Sequence, residues 1–318
     1  MFENYRYFLA LCDELNVTRA AEKLFVTHQC LSRYLKKLEE ECGTELFFRK
    51  PAFALTPEGE RLRGTLRQVE RLEKDLAEHF AERSESAAGS LSFGTTEGRF
   101  RIFVPELIDR FKAAYPRVEL HVSSANSTEL RKLLLDNKLD LILTGKAAFT
   151  SPLLTDQIVL NEKIYLVVSD GILRRVFGSG WQNRLSELRD GADLSLFENV
   201  PFAVNMPAYN SSQMIVRHLQ RTALSLKIIH TSSHPDLHHE LTTRNYAASF
   251  CLTMYIPNIL RINEKSENKL HILPIKGLVE VNPITVTRIK GRALPQYAVA
   301  LCDVLRDLCG SYSRYDVI

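Results

Sequence analysis

Apolar residues in the first sixty positions fall into three stripes at helical spacing. Tyr5, Phe8, Leu9, Cys12 and Leu15 recur in steps of three and four, Ala20, Ala21 and Leu24 form a second face, and Leu31, Leu35 and Leu38 a third. This predicts three short helices, with Thr18 placed to cap the second, Thr27 to cap the third and Gly43 to end it. Two small alanines on the middle helix let the third cross it closely. Apolar runs at 46–48 and 53–55 then flank Arg49, Lys50 and Pro51, the pattern of a two-stranded wing with a basic tip. From Pro57, with Thr56 as cap, Leu62, Leu66, Val69, Leu72, Leu76 and Phe80 continue at steps of three and four among charged residues. That reads as one long helix burying a single stripe against a partner helix.

Small residues at 84–90, including Ala87, Ala88 and Gly89, break the periodicity and read as a hinge. Beyond it the signal changes. Short apolar strands at 91–94, 118–123 and 139–143 alternate with helices at 104–115, where Pro105 stands near the start, and 130–135. This is a βαβαβ rhythm with a parallel sheet. Strands at 164–168, 202–205 and 226–230 and helices at 213–222 and 236–243 repeat it, before strands at 270–273 and 284–289 and a last helix at 295–308. The expected organisation is a winged helix-turn-helix head at 1–58, a linker helix and hinge at 57–89, and an α/β domain at 90–318. Its first half covers about 90–160 plus 270–318, and its second half about 161–269.

Composition narrows the class. A chain of 318 residues with 45% hydrophobic content suits two or three folded domains. A net charge of +3 excludes a histone-like binder, so any affinity for nucleic acid must come from a local set of cations. The start carries no secretory leader pattern and no apolar run reaches the roughly 18 residues of a membrane span, which places the expected protein in the cytoplasm. The six cysteines have no CxxC spacing. Cys302 and Cys309 stand two turns apart on the last helix and Cys251 lies in an apolar run; packing is the expected role, with oxidant sensing the alternative.

On the third helix, Thr27, His28, Gln29, Ser32, Arg33, Lys36 and Lys37 lie off the leucine face. With Arg49 and Lys50 of the wing they form a candidate surface for the major groove and phosphates of double-stranded DNA. A merely solvated helix face carries similar residues, and the surrounding three-helix pattern favours the DNA reading. In the α/β domain, strand ends at the sheet's carboxyl edge present helix N-termini that attract anions. Thr95, Thr96, Asn126, Ser127, Lys146 and Asn205 occupy such places and are the candidate ligand contacts, although capping alone would explain Thr95 or Ser127. Arg99 and Arg101 either join that site or face solvent. His230, His234, His238 and His239 form a cluster without a completing cysteine, which favours exposed helix histidines over a metal site. No GxSxG, HExxH, P-loop or GxGxxG pattern supports an enzyme. A secreted binding protein would need a leader and no DNA reader.

The order AAEKLFVTHQCLSRYLKKLEEECGTELFFRK followed by LTPEGERL resembles the LysR-type transcriptional regulators. The shared pattern comprises Ala20 and Ala21, Ser32 and Arg33, Leu38 and Glu39, Gly43, Leu46 and Phe47, Arg49, and Thr56 with Gly59. YPRVELHV and STELRKLLLDNKLDLIL match the first half of that family's effector domain, with a looser match at Leu160, Glu162, Leu166, Pro201 and Phe202. The resemblance implies a homodimer paired through the linker helix, set on an inverted-repeat operator, with assembly to a tetramer usual. It also implies a periplasmic-binding-protein-like effector domain of two Rossmann-like halves. A small polar or carboxylate-bearing effector would sit in the cleft, and RNA polymerase would be a partner if the protein activates. No cofactor or metal is implied. The chain departs from the pattern at His28, Cys30 and Phe53, and at Asn245, Tyr246, Ala247, Ala248 and Ser249, where a Gly-rich turn is usual and larger side chains are expected either to narrow the cleft or to alter the choice of ligand.

Overall fold

Tyr5, Phe8, Leu9 and Cys12 bury one stripe of α1 (Tyr5–Glu14) in a core shared with α2 (Val17–Lys23) and α3 (His28–Cys42). The structure is a computed structural model and describes residues 4–82, 89–147 and 151–316. Leu15 departs from the expected stripe because it is the left-handed cap of α1, with φ 43°, and is turned to solvent. The cap of α2 is Asn16, whose Oδ1 accepts from the Arg19 N–H at 3.1 Å. Thr18, the expected cap, is already inside that helix. Thr27 does cap α3, accepting from the Cys30 N–H at 3.1 Å, and Gly43 ends the helix at φ 69°.

The wing is β1 (Phe47–Phe48) paired antiparallel with β2 (Ala54–Leu55). Phe53 is apolar for a structural reason, since its ring stacks on buried Phe47 with centroids 4.5 Å apart. α4 (Pro57–Glu82) then begins on a tight splice to the wing. Thr56 donates its N–H to the Leu46 carbonyl at 3.0 Å and its hydroxyl to the Glu45 carbonyl at 2.9 Å, while its Oγ1 accepts from the Gly59 N–H at 3.0 Å. A Cβ on Gly59 would lie 2.1 Å from the Leu46 carbonyl oxygen, so no other residue fits there without moving the wing.

The chain divides near residue 85 into two units, the second being Ser86–Ile318. In it β3 (Gly89–Thr95), α5 (Glu97–Ala114), β4 (Val118–Ser124), α6 (Ser127–Leu135) and β5 (Leu141–Gly145) give the parallel βαβαβ order. β3 starts inside the stretch read as hinge; of that stretch, 84–88 lie outside the described residues. α5 starts two turns before the expected site because Pro105 sits on its solvent face, where water can take the carbonyl that loses its partner.

β6 (Leu154–Glu162) and β7 (Ile164–Ser169) follow, then α7 (Asp170–Phe177), α8 (Trp181–Leu188), β8 (Pro201–Asn205), α9 (Asn210–Thr222) and β9 (Lys227–Ser232). The chain closes with α10 (Pro235–Thr243), β10 (Ala248–Leu252), α11 (Ile256–Lys265), β11 (Leu270–Pro274), β12 (Asn282–Ile289) and α12 (Gln296–Ser311).

The first sheet has the order β4-β3-β5-β12-β6 and the second β11-β7-β10-β8-β9. Leu270–Pro274 therefore pairs antiparallel with β7 in the second half, not with the first half as the sequence reading had it. Its apolar residues complete the second core, and the return to the first half comes at β12. The halves are locked where the chain crosses. Lys163 donates its N–H to Thr253 Oγ1 at 3.0 Å, and Thr253 donates its own to the Lys163 carbonyl at 3.2 Å. Met254 enters the core of the first half, whereas Tyr255 and Ile256 belong to that of the second.

Candidate DNA-reading head and ligand sites

Leu31, Leu35 and Leu38 are buried along one side of α3, and this burial fixes which side is presented outward. His28, Gln29, Arg33, Lys36 and Lys37 are exposed and Ser32 is half-buried. Ser32 Oγ lies 3.5 Å from His28 Nδ1. Lys36 and Lys37 stand 3.8 and 3.9 Å from Glu40 and Glu41, exposed pairs of little strength that phosphates can displace. Arg33 has no acidic partner among the described residues, which leaves its guanidinium uncompensated on that face.

Phe25, in the turn before α3, is 96% exposed and has φ 55°. A bulky side chain is strained there, and a ring this exposed gains little from packing among the described residues to offset the strain. Phe25→Gly is therefore expected to stabilise the head by about 0.5–1 kcal/mol. Thermal unfolding followed by helical circular dichroism checks this, and a lower melting temperature would mean that the ring packs on something in solution.

Glu39 is the site residue that pattern reading missed. It is buried between helix and wing, where its Oε1 accepts from the N–H groups of Leu46 at 2.9 Å and Phe47 at 3.4 Å, and its Oε2 accepts from Arg49 at 2.7 Å. Arg49 also lies 3.5 Å from Glu45. The wing arginine expected on DNA is thus first a bolt between wing and α3, with half of its side chain still exposed. Lys50 is exposed. A carboxylate four residues after Leu35 and one after Leu38, inside the buried stripe, was the available signal.

The stripe of α4 serves two surfaces. Leu66 is fully buried in the head's own core, with Leu62 and Val69 packed against that core. This corrects the expectation that the whole stripe is free for a partner helix. The reason is that α1 covers the first half of α4: Tyr5 donates its hydroxyl to Glu73 at 2.7 Å, and Arg67 bridges Asp13 and Glu70 at 2.7 Å each. Leu72 and Leu76 remain outside, 63% and 55% exposed. The side chain of Phe80 lies outside the described residues.

In the second unit the candidate ligand residues separate into scaffold and surface. Thr95 is buried and its hydroxyl donates to the Leu143 carbonyl at 3.0 Å, so it braces the sheet. Thr96 precedes α5 and accepts from Arg99 at 3.2 Å. Asn126 caps α6, accepting from the Glu129 N–H at 2.9 Å, and Ser127 is half-buried behind it. Lys146 is exposed, and its carbonyl accepts from Asn210 of the other half at 3.2 Å. Asn205 stands at the end of β8 and donates to Ser211 Oγ at 3.0 Å.

Between the halves, Arg99 is buried and meets buried Glu162 at 2.6 Å; Arg101 faces solvent. Burial works against the Arg99 charge, but the Glu162 carboxylate more than offsets it and holds the guanidinium above its ordinary pKa. Glu162 also accepts from Asn282 at 3.0 Å and from the Met254 N–H at 3.4 Å. Tyr255 presses its hydroxyl on the first turn of α5, where a Cβ on Gly98 would come within 2.1 Å of it. Glu97 and His234 face each other at 3.7 Å, a pair that is ionic only when the histidine is protonated.

His238 and His239 are buried, not exposed as expected, and burial pushes their pKa values down to about 4 and about 3. Both are neutral rings of the second half near neutral pH. Among the described residues no group of three or more His, Cys, Asp or Glu is placed to hold a metal ion. Burial raises the Cys302 and Cys309 thiols to about 11 and about 12, which keeps them protonated near neutral pH. Asn245 does not narrow the cleft: in a left-handed turn, at φ 64°, its Oδ1 accepts from Ser169 and Asn268, while Tyr246 points to solvent.

Residues 2–60 match the bacterial regulatory helix-turn-helix protein, lysR family, and residues 84–310 match the LysR substrate binding domain. The chain is 30% identical to the HTH-type transcriptional regulator CysB of Haemophilus influenzae over 147 residues, 45% of this chain and 46% of that protein. It thus spans about half the length of the curated relatives it matches. A full-length OxyR variant from Pseudomonas aeruginosa superimposes with a TM-score of 0.70 at 18% identity, covering 96% of this chain and 92% of that one. Full-length CbnR in complex with its target DNA superimposes at 0.55 and 17% identity, covering 95% and 97%. With a head and an α/β domain that each match that family's own models, the chain belongs to the LysR family of transcriptional regulators.

Proposed function

We propose that this protein is a sequence-specific DNA-binding regulator, controlled by a small molecule bound in its C-terminal domain. The observation that carries the reading is α3 itself. Its leucine face is sealed in the core while Gln29, Ser32, Arg33, Lys36 and Lys37 occupy the other side, capped by Thr27 and led by His28. Exposed Lys50 and the partly exposed guanidinium of Arg49 extend that surface to the backbone. The effector is a small, carboxylate-bearing molecule held in the cleft by Lys146 and by the strand-end residues Thr96 and Ser127. Thr95 acts behind them as scaffold, and Asn126 caps α6 beside them at the surface. The protein works in the cytoplasm; no helix among the described residues is long and apolar enough to cross a membrane. If it activates, it contacts RNA polymerase.

Capture of sheared DNA from the source organism by the purified protein, followed by sequencing, tests the reading. Discrete inverted-repeat sites support it; a uniform background with and without a metabolite extract would overturn it. The dimer rests on the part of the α4 stripe that the head leaves uncovered. Leu72→Glu places a charge in that seam and is expected to raise the dimer dissociation constant at least about tenfold. Sedimentation velocity checks this, and a variant as dimeric as the parent would move the interface away from Leu72 and Leu76.

A further inference from the structure

Head and seam share one uninterrupted helix, α4. Its start is spliced to the wing through Thr56 and Gly59. Further along, Leu66 is fully buried in the head's core and Arg67, itself buried, bridges Asp13 of α1 and Glu70 of α4. Glu73 then accepts on Oε2 from the Tyr5 hydroxyl at 2.7 Å and from the Arg6 guanidinium at 3.2 Å. Among the described residues it is the last of α4 that the head holds. Asp13 and Tyr5 stand at opposite ends of α1, about 12 Å apart at 1.5 Å per residue. A tie at one end alone is a pivot; ties at both ends fix the angle between α1 and α4.

Leu72 and Leu76, on which the proposed dimer rests, are the exposed neighbours of Glu73 on that helix. The grip of the head therefore ends in the turn where the seam begins, and no free turn lies between them to bend or twist. Each base pair added between two half-sites moves the second by about 3.4 Å and rotates it by about 34–36°. A head locked to the seam cannot follow that movement, whereas a head that pivots at Arg67 can. The Arg67 tie is buried and belongs to the core, but the Glu73 side chain is half-exposed, so its hold can be removed while the core stays packed. We propose that Glu73, through Tyr5 and Arg6, is a spacing-determining residue: it fixes how the recognition helices of the dimer are placed, and so the separation of half-sites that the dimer accepts. The inference rests on the dimer and inverted-repeat reading given above.

Fluorescence anisotropy of the full chain tests this, with the captured operator and with copies lengthened or shortened by one and two base pairs between the half-sites. The parent should lose at least about tenfold for a change of one base pair, because a head that cannot reach its half-site forfeits the gain of paired binding. Glu73→Ala should bind all these spacings within about threefold of one another, with its affinity for an isolated half-site and its sedimentation coefficient unchanged. Tyr5→Phe keeps its ring in the core and should flatten the profile in part, and the double variant should flatten it no further than Glu73→Ala does. Glu73→Gln retains an oxygen that accepts from Tyr5 and should keep the parent's profile. A purely structural role would weaken every spacing alike, and that result for Glu73→Ala would overturn the proposal. So would a Glu73→Ala variant with the parent's profile, or a parent indifferent to spacing. Captured sites that are single and not paired would instead overturn the dimer reading, and the proposal with it.

Discussion

Glu162→Ala is expected to lower the unfolding free energy of the C-terminal domain by about 3–5 kcal/mol, the range for breaking a buried ion pair on one side. The loss comes from what remains behind. The Arg99 guanidinium, 2.6 Å from the carboxylate in the parent, stays buried with Thr96 Oγ1, at 3.2 Å, as its remaining acceptor among the described residues. Asn282 and the Met254 N–H lose their acceptor at the same time. Urea unfolding followed by fluorescence reads this directly, because the chain has one tryptophan and Trp181 is packed in the second core. Met254 sits in the first core and its neighbours in the second, so the halves should unfold together and Trp181 should report on both. Replacing both members, Arg99→Leu with Glu162→Leu, should recover most of the loss, since no charge is then left unpaired. A Glu162→Ala loss within about 0.5 kcal/mol, as for a change on the surface, would mean that water reaches the guanidinium.

Arg33→Ala is expected to weaken operator binding by about 5- to 150-fold, the equivalent of 1–3 kcal/mol for an arginine that reads a base edge. Lys36 and Lys37 each have an acid one turn away, whereas Arg33 has none among the described residues. Its charge is therefore the least compensated on α3. Fluorescence anisotropy with a captured operator fragment, at several salt concentrations, separates two modes of contact. A base contact lowers affinity for the operator more than for random DNA. A phosphate contact lowers both alike and reduces the salt slope by about one. The sedimentation coefficient should be unaffected in either case, and affinity within twofold of the parent would remove Arg33 from the interface.

Local signals served well wherever one surface is buried and its opposite is wet. Thr27, Gly43, Thr56 and the leucines of α3 were legible because caps and helical spacing are written in adjacent residues. The failures share a cause in long-range packing. The α4 stripe reads as one seam, yet its first half is taken by α1, which is 54 residues away at the Arg67–Asp13 contact. Thr95 and Asn126 look like ligand contacts because the same side chains brace a strand or cap a helix, and sequence cannot separate those roles. Glu162 was more readable than it was read: on β6 it shares the buried face with Leu160, and a carboxylate at such a position must find a buried partner.

Glu39 ties the wing to α3 through two backbone N–H groups and one guanidinium, and Thr56 ties the start of α4 to the same strand. The head then behaves as a caliper with fixed jaws. On the proposed reading α3 and the wing tip are its two contact points on DNA, and the tie keeps one separation between them. A groove wider or narrower than that separation has to deform to fit, so part of this head's preference among sequences should follow how readily each one bends, independently of the bases that α3 touches.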